Sequence, residues 1–116
     1  MAKELKDQKI FVFHILDAMT RIKSHTLGVS LSVFLKTPII QDAVTRQLEI
    51  IGEAARHFTK EIQEATPNIH WRDIVDMRNK LAHDYFNIDL IIVWDTVIKD
   101  LPKFEKEIKS ILEILP

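Results

Sequence analysis

Apolar residues recur at intervals of three and four along nearly the whole chain, the spacing of helices that each bury one face. Between Lys3 and about Ser24, Leu5, Val12, Ile15, Leu16, Met19 and Ile22 mark a first helix, and Ile10, Phe11 and Phe13 are expected to widen its buried side. Thr26 to Thr37 holds Gly28 and a short apolar run, which reads as a connection or a brief helical turn. Pro38 suits the first turn of the next helix with Thr37 as its N-cap. There Val44, Leu48, Ile51, Ala55, Phe58 and Ile62 form one seam, and the turn residues of Ala65-Thr66-Pro67-Asn68 end it. A third helix starts near Trp71. From Ile88 onward Leu90, Trp94, Val97, Leu101, Phe104, Ile108, Ile111 and Leu115 hold their phase across Pro102, which predicts one kinked helix or two nearly collinear ones. The pattern predicts an all-α protein: an antiparallel bundle of four main helices, with room for a short fifth between the first two.

Helix two carries Arg46, Glu49, Glu53, Arg56 and Lys60 opposite its seam, a row expected to be a solvated face. Gly52 in mid-helix costs about 1 kcal/mol relative to alanine, so another backbone is expected to pass close to it, from this chain or from a second subunit. In helix three, Trp71, Ile74, Val75, Leu81, Ala82 and Tyr85 form an apolar stripe with Arg78 near its middle. A guanidinium aimed at the core must be paired or line a cavity, because leaving it dry and alone is prohibitive. Arg72, Asp76, Asn79 and His83 make a polar row along the flank of that stripe.

Composition narrows the chemistry. The 116 residues are 47% apolar, enough for a single domain spanning 1–116 with its own core. There is no cysteine, which excludes disulfides, thiolate metal sites and a cysteine nucleophile. Sixteen Lys and Arg against seventeen Asp and Glu give a net charge of −1, without the general basic excess of many nucleic-acid binders, so any RNA site must be a local groove. No run is long and apolar enough to span a membrane, and the charged N-terminus does not read as a leader. A soluble cytoplasmic protein with no membrane or DNA partner is expected.

The candidate chemistry lies in Arg78, Asn79 and His83. Asn79 and His83 are four apart, so the amide can hold the imidazole in one orientation. Arg78 and His83 are five apart, about 140° around a helix, and converge only on a ligand lying across it or with help from a second subunit. The three suit metal-independent RNA cleavage, with His83 as general base or acid, Arg78 clamping the phosphorane and Asn79 orienting. They also suit an ordinary polar face with a buried salt bridge. One histidine supplies one of two proton transfers, and a twofold dimer would supply the other. His14 and His25 have no suitably spaced partner and read as structural, and neither Asp76 nor Asp84 pairs with His83 at metal-ligand spacing. No cofactor or metal is expected.

Arg78-Asn79-Lys80-Leu81-Ala82-His83-Asp84-Tyr85 resembles the arginine, four residues, histidine, one residue, tyrosine motif of the HepT-like branch of the HEPN superfamily. Arg46-Gln47-Leu48-Glu49-Ile50-Ile51-Gly52-Glu53-Ala54-Ala55, Trp71 and the segment from Tyr85 to Trp94 are similar to the same branch, so the resemblance covers nearly the whole chain. It implies a HEPN-like bundle that forms a homodimer, or a higher oligomer built from dimers, and a ribonuclease toxin paired with an MntA-type nucleotidyltransferase antitoxin. It places the catalytic pair on Arg78 and His83, with Asn79 assisting. It makes Tyr85 the residue to which the antitoxin transfers AMP, switching the toxin off. The rival reading is a non-catalytic helical module that binds a nucleotidyltransferase or a nucleotide.

Overall fold

The computed structural model describes the backbone of residues 2–83 and 88–116, and the side chains of residues 7–82 and 88–116. Among the described residues helix is the only regular secondary structure: α1 (Ala2–Thr26), α2 (Leu31–Lys36), α3 (Pro38–Arg56), α4 (Lys60–Ala65), α5 (Trp71–His83), α6 (Leu90–Asp95), a π-helical turn at Thr96–Asp100, and α7 (Leu101–Ile114). The expected bundle of four main helices is present, and α2 is the short fifth. Helix α3 is the central element, packed between α1 and α5, while α7 packs against α1. No described helix is long and apolar enough to cross a membrane.

The core follows the predicted seams. Val12, Ile15, Met19 and Ile22 of α1 meet Val44, Leu48 and Ile51 of α3 and Ile108 and Ile111 of α7, all at most 1% exposed. Burying each such aliphatic side chain contributes about 1.5–3 kcal/mol. Phe34 anchors α2 in this core against Trp94, and Ser30 starts α2 by accepting the Val33 N–H. Ile10 and Phe13 do not widen the buried face of α1; both are more than half exposed.

Two expectations about helix ends are corrected. Thr37 occupies the N-cap position of α3, but its hydroxyl donates to the Val33 carbonyl instead of capping. The seam from Val44 to Ile62 is not one helix. It breaks at His57, and Thr59 caps a separate α4 by accepting the Ile62 N–H. The break is sealed by Gln8, a buried amide of α1 that accepts the Thr59 N–H, and by Gln63, which donates to the Phe58 carbonyl. Such pairing is obligatory for backbone groups taken out of water.

The C-terminal helix runs through Pro102 as predicted, by a specific device. Asp95, Thr96, Asp100 and Leu101 all keep right-handed helical dihedrals, and the Leu101 N–H reaches back to the Thr96 carbonyl, five residues earlier. A proline ring clashes with the carbonyl four residues before it, and the widened turn gives that ring room without ending the helix.

Candidate functional site

Gly52 fixes where α5 crosses α3. A Cβ built at Gly52 would lie 2.1 Å from the Arg78 Cβ and 3.2 Å from the Ile74 carbonyl oxygen. The close neighbour anticipated from the glycine is therefore α5 of the same chain. Because α5 approaches here, the Arg78 stem lies against α3 and its guanidinium continues past the crossing toward solvent.

The face of α3 expected to be solvated becomes the floor of a trough between α1 and α5. This cleft, about 310 Å³, is lined by Arg46, Glu49 and Glu53 of α3, His57 at its C-cap, His14 of α1 and Arg78 of α5. The Arg78 side chain is 29% exposed, and its Nε lies 3.4 Å from Glu53 Oε2, an ion pair without the alignment of a good hydrogen bond. Its Nη1 donates to Asn79 Oδ1 at 3.1 Å. Arg78 thus meets both alternatives raised by its place in the apolar stripe, being paired and lining a cavity.

Glu53 holds three cationic or ionisable partners. Its Oε1 accepts from Arg56 at 3.0 Å and lies 3.3 Å from His57 Nε2, while Oε2 faces Arg78. Partial burial pushes the Glu53 carboxyl up, but the Arg56 charge, the His57 hydrogen bond and the Arg78 charge together outweigh it and leave the carboxyl below its ordinary range. The His57 ring is fixed from a second side by Phe11, with ring centroids 5.0 Å apart and planes 11° from parallel. His14 stands edge-on to the same Phe11 and is exposed, so it belongs to the cleft and not to the core.

Arg78 and Asn79 are brought together, with the amide oxygen turned to the guanidinium. His83 is the last residue of α5, and its side chain lies outside the described residues, as does Tyr85. Glu53, His57 and His14 were missed as site residues. The available signal was Gly52: it marks the crossing, Glu53 follows it, and Glu49 and His57 sit one turn to either side. Among the described residues no three His, Asp or Glu side chains cluster as metal ligands. A larger cavity of about 400 Å³ lies between α5 and the C-terminal helix, lined mainly by apolar groups such as Ile51, Met77 and Phe104, and Arg78 does not reach it.

Comparison with known proteins agrees with this architecture. The family model Ribonuclease HepT-like matches residues 15–111. The chain is 37% identical over 109 residues to "Putative RNase TTE0752" of Caldanaerobacter subterraneus subsp. tengcongensis, covering 94% of this chain and 97% of that protein. It is 38% identical over 106 residues to "Putative RNase MJ1380" of Methanocaldococcus jannaschii, covering 91% and 97%. It is 37% identical over 105 residues to "Probable ribonuclease HepT" of Thermococcus cleftensis, covering 87% and 96%. No solved structure matches the chain significantly. An all-helical bundle whose central pair of helices presents a partly buried arginine five residues before a histidine is the class of protein defined by fold and site. The chain belongs to the ribonuclease HepT-like family.

Proposed function

We propose that this single-domain protein is a metal-independent endoribonuclease that acts as a homodimer. Family membership supports ribonuclease chemistry. The observation that carries the residue assignment is Arg78, held by Glu53 at the open trough with its charge available to a phosphate, five residues before His83. In the proposed reaction His83 removes the proton of a ribose 2′-hydroxyl. The 2′-oxygen bonds to phosphorus, the bond from phosphorus to the 5′-oxygen breaks, and a second imidazole from the other copy protonates that leaving oxygen. Arg78 stabilises the pentavalent dianion, and Asn79 orients the reacting groups. The products are a 2′,3′-cyclic phosphate and a 5′-hydroxyl.

Within the same reading the protein is the toxin of a toxin–antitoxin pair. Its partner is an MntA-type nucleotidyltransferase that transfers AMP from ATP to Tyr85, forming a bond from the tyrosine oxygen to the α-phosphorus and releasing pyrophosphate. An adenylyl group two residues from His83 adds bulk and negative charge where the RNA phosphate must sit.

The test is cleavage of single-stranded RNA by the purified chain in excess EDTA, with end-group analysis of the products. Cyclic phosphate ends are expected, and Arg78→Ala and His83→Ala should each lose about 100-fold or more while melting like the parent. Undiminished cleavage by both variants would overturn the assignment. Absence of cleavage together with tight binding of a nucleotidyltransferase would favour the non-catalytic module instead.

A further inference from the structure

We propose that His57, backed by Phe11, is a stacking platform for one unpaired RNA base, placing a nucleotide subsite in the trough beside Arg78; the subsite rests on the ribonuclease reading for its substrate class. The His57 ring is unusual for an imidazole near a helix end because both its plane and its edge are held. Phe11 lies parallel to one face at 5.0 Å, and Glu53 Oε1 lies 3.3 Å from Nε2. With one face on Phe11 and the side chain still 46% exposed, the ring offers its other face to a ligand. A ring held this way loses little freedom when a base settles on it.

The position fits a nucleotide. The same carboxylate that lies 3.3 Å from His57 through Oε1 lies 3.4 Å from Arg78 through Oε2, so platform and phosphate clamp stand on either side of one carboxylate. That spacing is comparable with the reach from a phosphate to the base of its own nucleotide. Arg46, with its side chain 69% exposed, lines the trough, and Arg56, 56% exposed, is paired with Glu53 beside it, so both can meet the phosphate backbone. Glu49 and Glu53 offset these charges, which makes the trough a poor general polyanion sink and leaves stacking as the source of discrimination. A base inside a duplex has no free face, so the subsite selects single strands.

The test measures binding of a 2′-O-methyl single-stranded oligonucleotide, which lacks the attacking hydroxyl, to the full chain by fluorescence anisotropy. His57→Ala should weaken binding about fivefold or more. His57→Phe, which keeps a flat ring but not the hydrogen bond, should stay within about twofold of the parent. A matched oligonucleotide with one abasic nucleotide at the occupied position should bind parent and His57→Ala alike. Normal binding by His57→Ala overturns the platform, as does an equal loss on intact and abasic strands, which would mean that His57 acts only through Glu53. Unimpaired binding with no cleavage in EDTA would instead count against the catalytic assignment, so the two readings fail separately.

Discussion

Gly52→Ala is expected to damage the protein even though alanine is the best helix former. In isolation the change should gain about 1 kcal/mol of helix propensity. The added Cβ, however, would sit 2.1 Å from the Arg78 Cβ, and carbon atoms pack at about 3.5–4.0 Å, so the two helices must separate locally by about 1.5 Å. No rotamer relieves the contact, because a Cβ is fixed to its backbone, and the Ile74 carbonyl at 3.2 Å blocks a sideways slip. Overpacking of this kind costs up to about 3 kcal/mol, leaving a net loss of about 2 kcal/mol. In a domain of this size that lowers the melting temperature by about 8 °C. The same shift carries Arg78 with α5, and a displacement of about 1 Å at the residue proposed to clamp the phosphate is expected to cost about 100-fold in rate. Urea and thermal unfolding followed by circular dichroism, with RNA cleavage measured on the folded fraction, test both halves. Gly28→Ala is the control: it meets nothing within 4 Å and strains only a turn at φ +73°, so it should lower stability modestly and spare cleavage. A Gly52→Ala protein that melts at or above the parent temperature would refute the steric account of the crossing.

Two further outcomes follow from the ion pairs. Glu53→Gln should reduce cleavage about tenfold by releasing Arg78, and should cost little more when Arg78→Ala is already present; effects that simply multiply would show that the two residues act independently. Lys23 ties α1 to α7 through Glu105 at 2.7 and 2.9 Å, and its hydrogen bond is the main reason the Glu105 carboxyl lies below its ordinary value of 4.5 despite partial burial. A depressed carboxyl stabilises the fold above that value and loses its contribution as pH falls through the folded-state value. The stability gap between parent and Glu105→Gln, under about 1 kcal/mol at this partly exposed pair, should be level at neutral pH and close only below about 4.5.

Much of the bundle was legible because burial imposes a period. Val12 to Ile22 and Phe104 to Leu115 needed only apolar spacing, and the continuity of the last helix survived Pro102. The π turn that makes this possible has no apolar signature. The break after Arg56 was hidden because Ala55, Phe58 and Ile62 keep helical spacing while the backbone between them does not. Thr59 was the readable sign, a capping residue inside an apparently unbroken seam. At the site, the wheel put Arg78 correctly on the buried stripe, but it could not find Glu53. On its own helix Glu53 lies opposite the core, and it becomes a site residue only because α1 and α5 rise on either side. Such partners depend on tertiary placement, which a single helix projection does not contain.

Because α3 stops at Arg56, the negative pole of its peptide dipoles emerges at the end of the trough. A helix C-terminus carries the equivalent of about half a negative charge and stabilises a neighbouring cation by about 0.3–1 kcal/mol. Arg56 in the last turn and His57 at the cap lie on that pole, with the His57 N–H closing back onto the Ala54 and Ala55 carbonyls. Unlike Glu53, this counter-charge cannot be protonated away. A helix running on to Ile62 would have carried its pole past the trough, leaving Glu53 alone to hold Arg56; the interrupted helix instead gives that cation a permanent anchor.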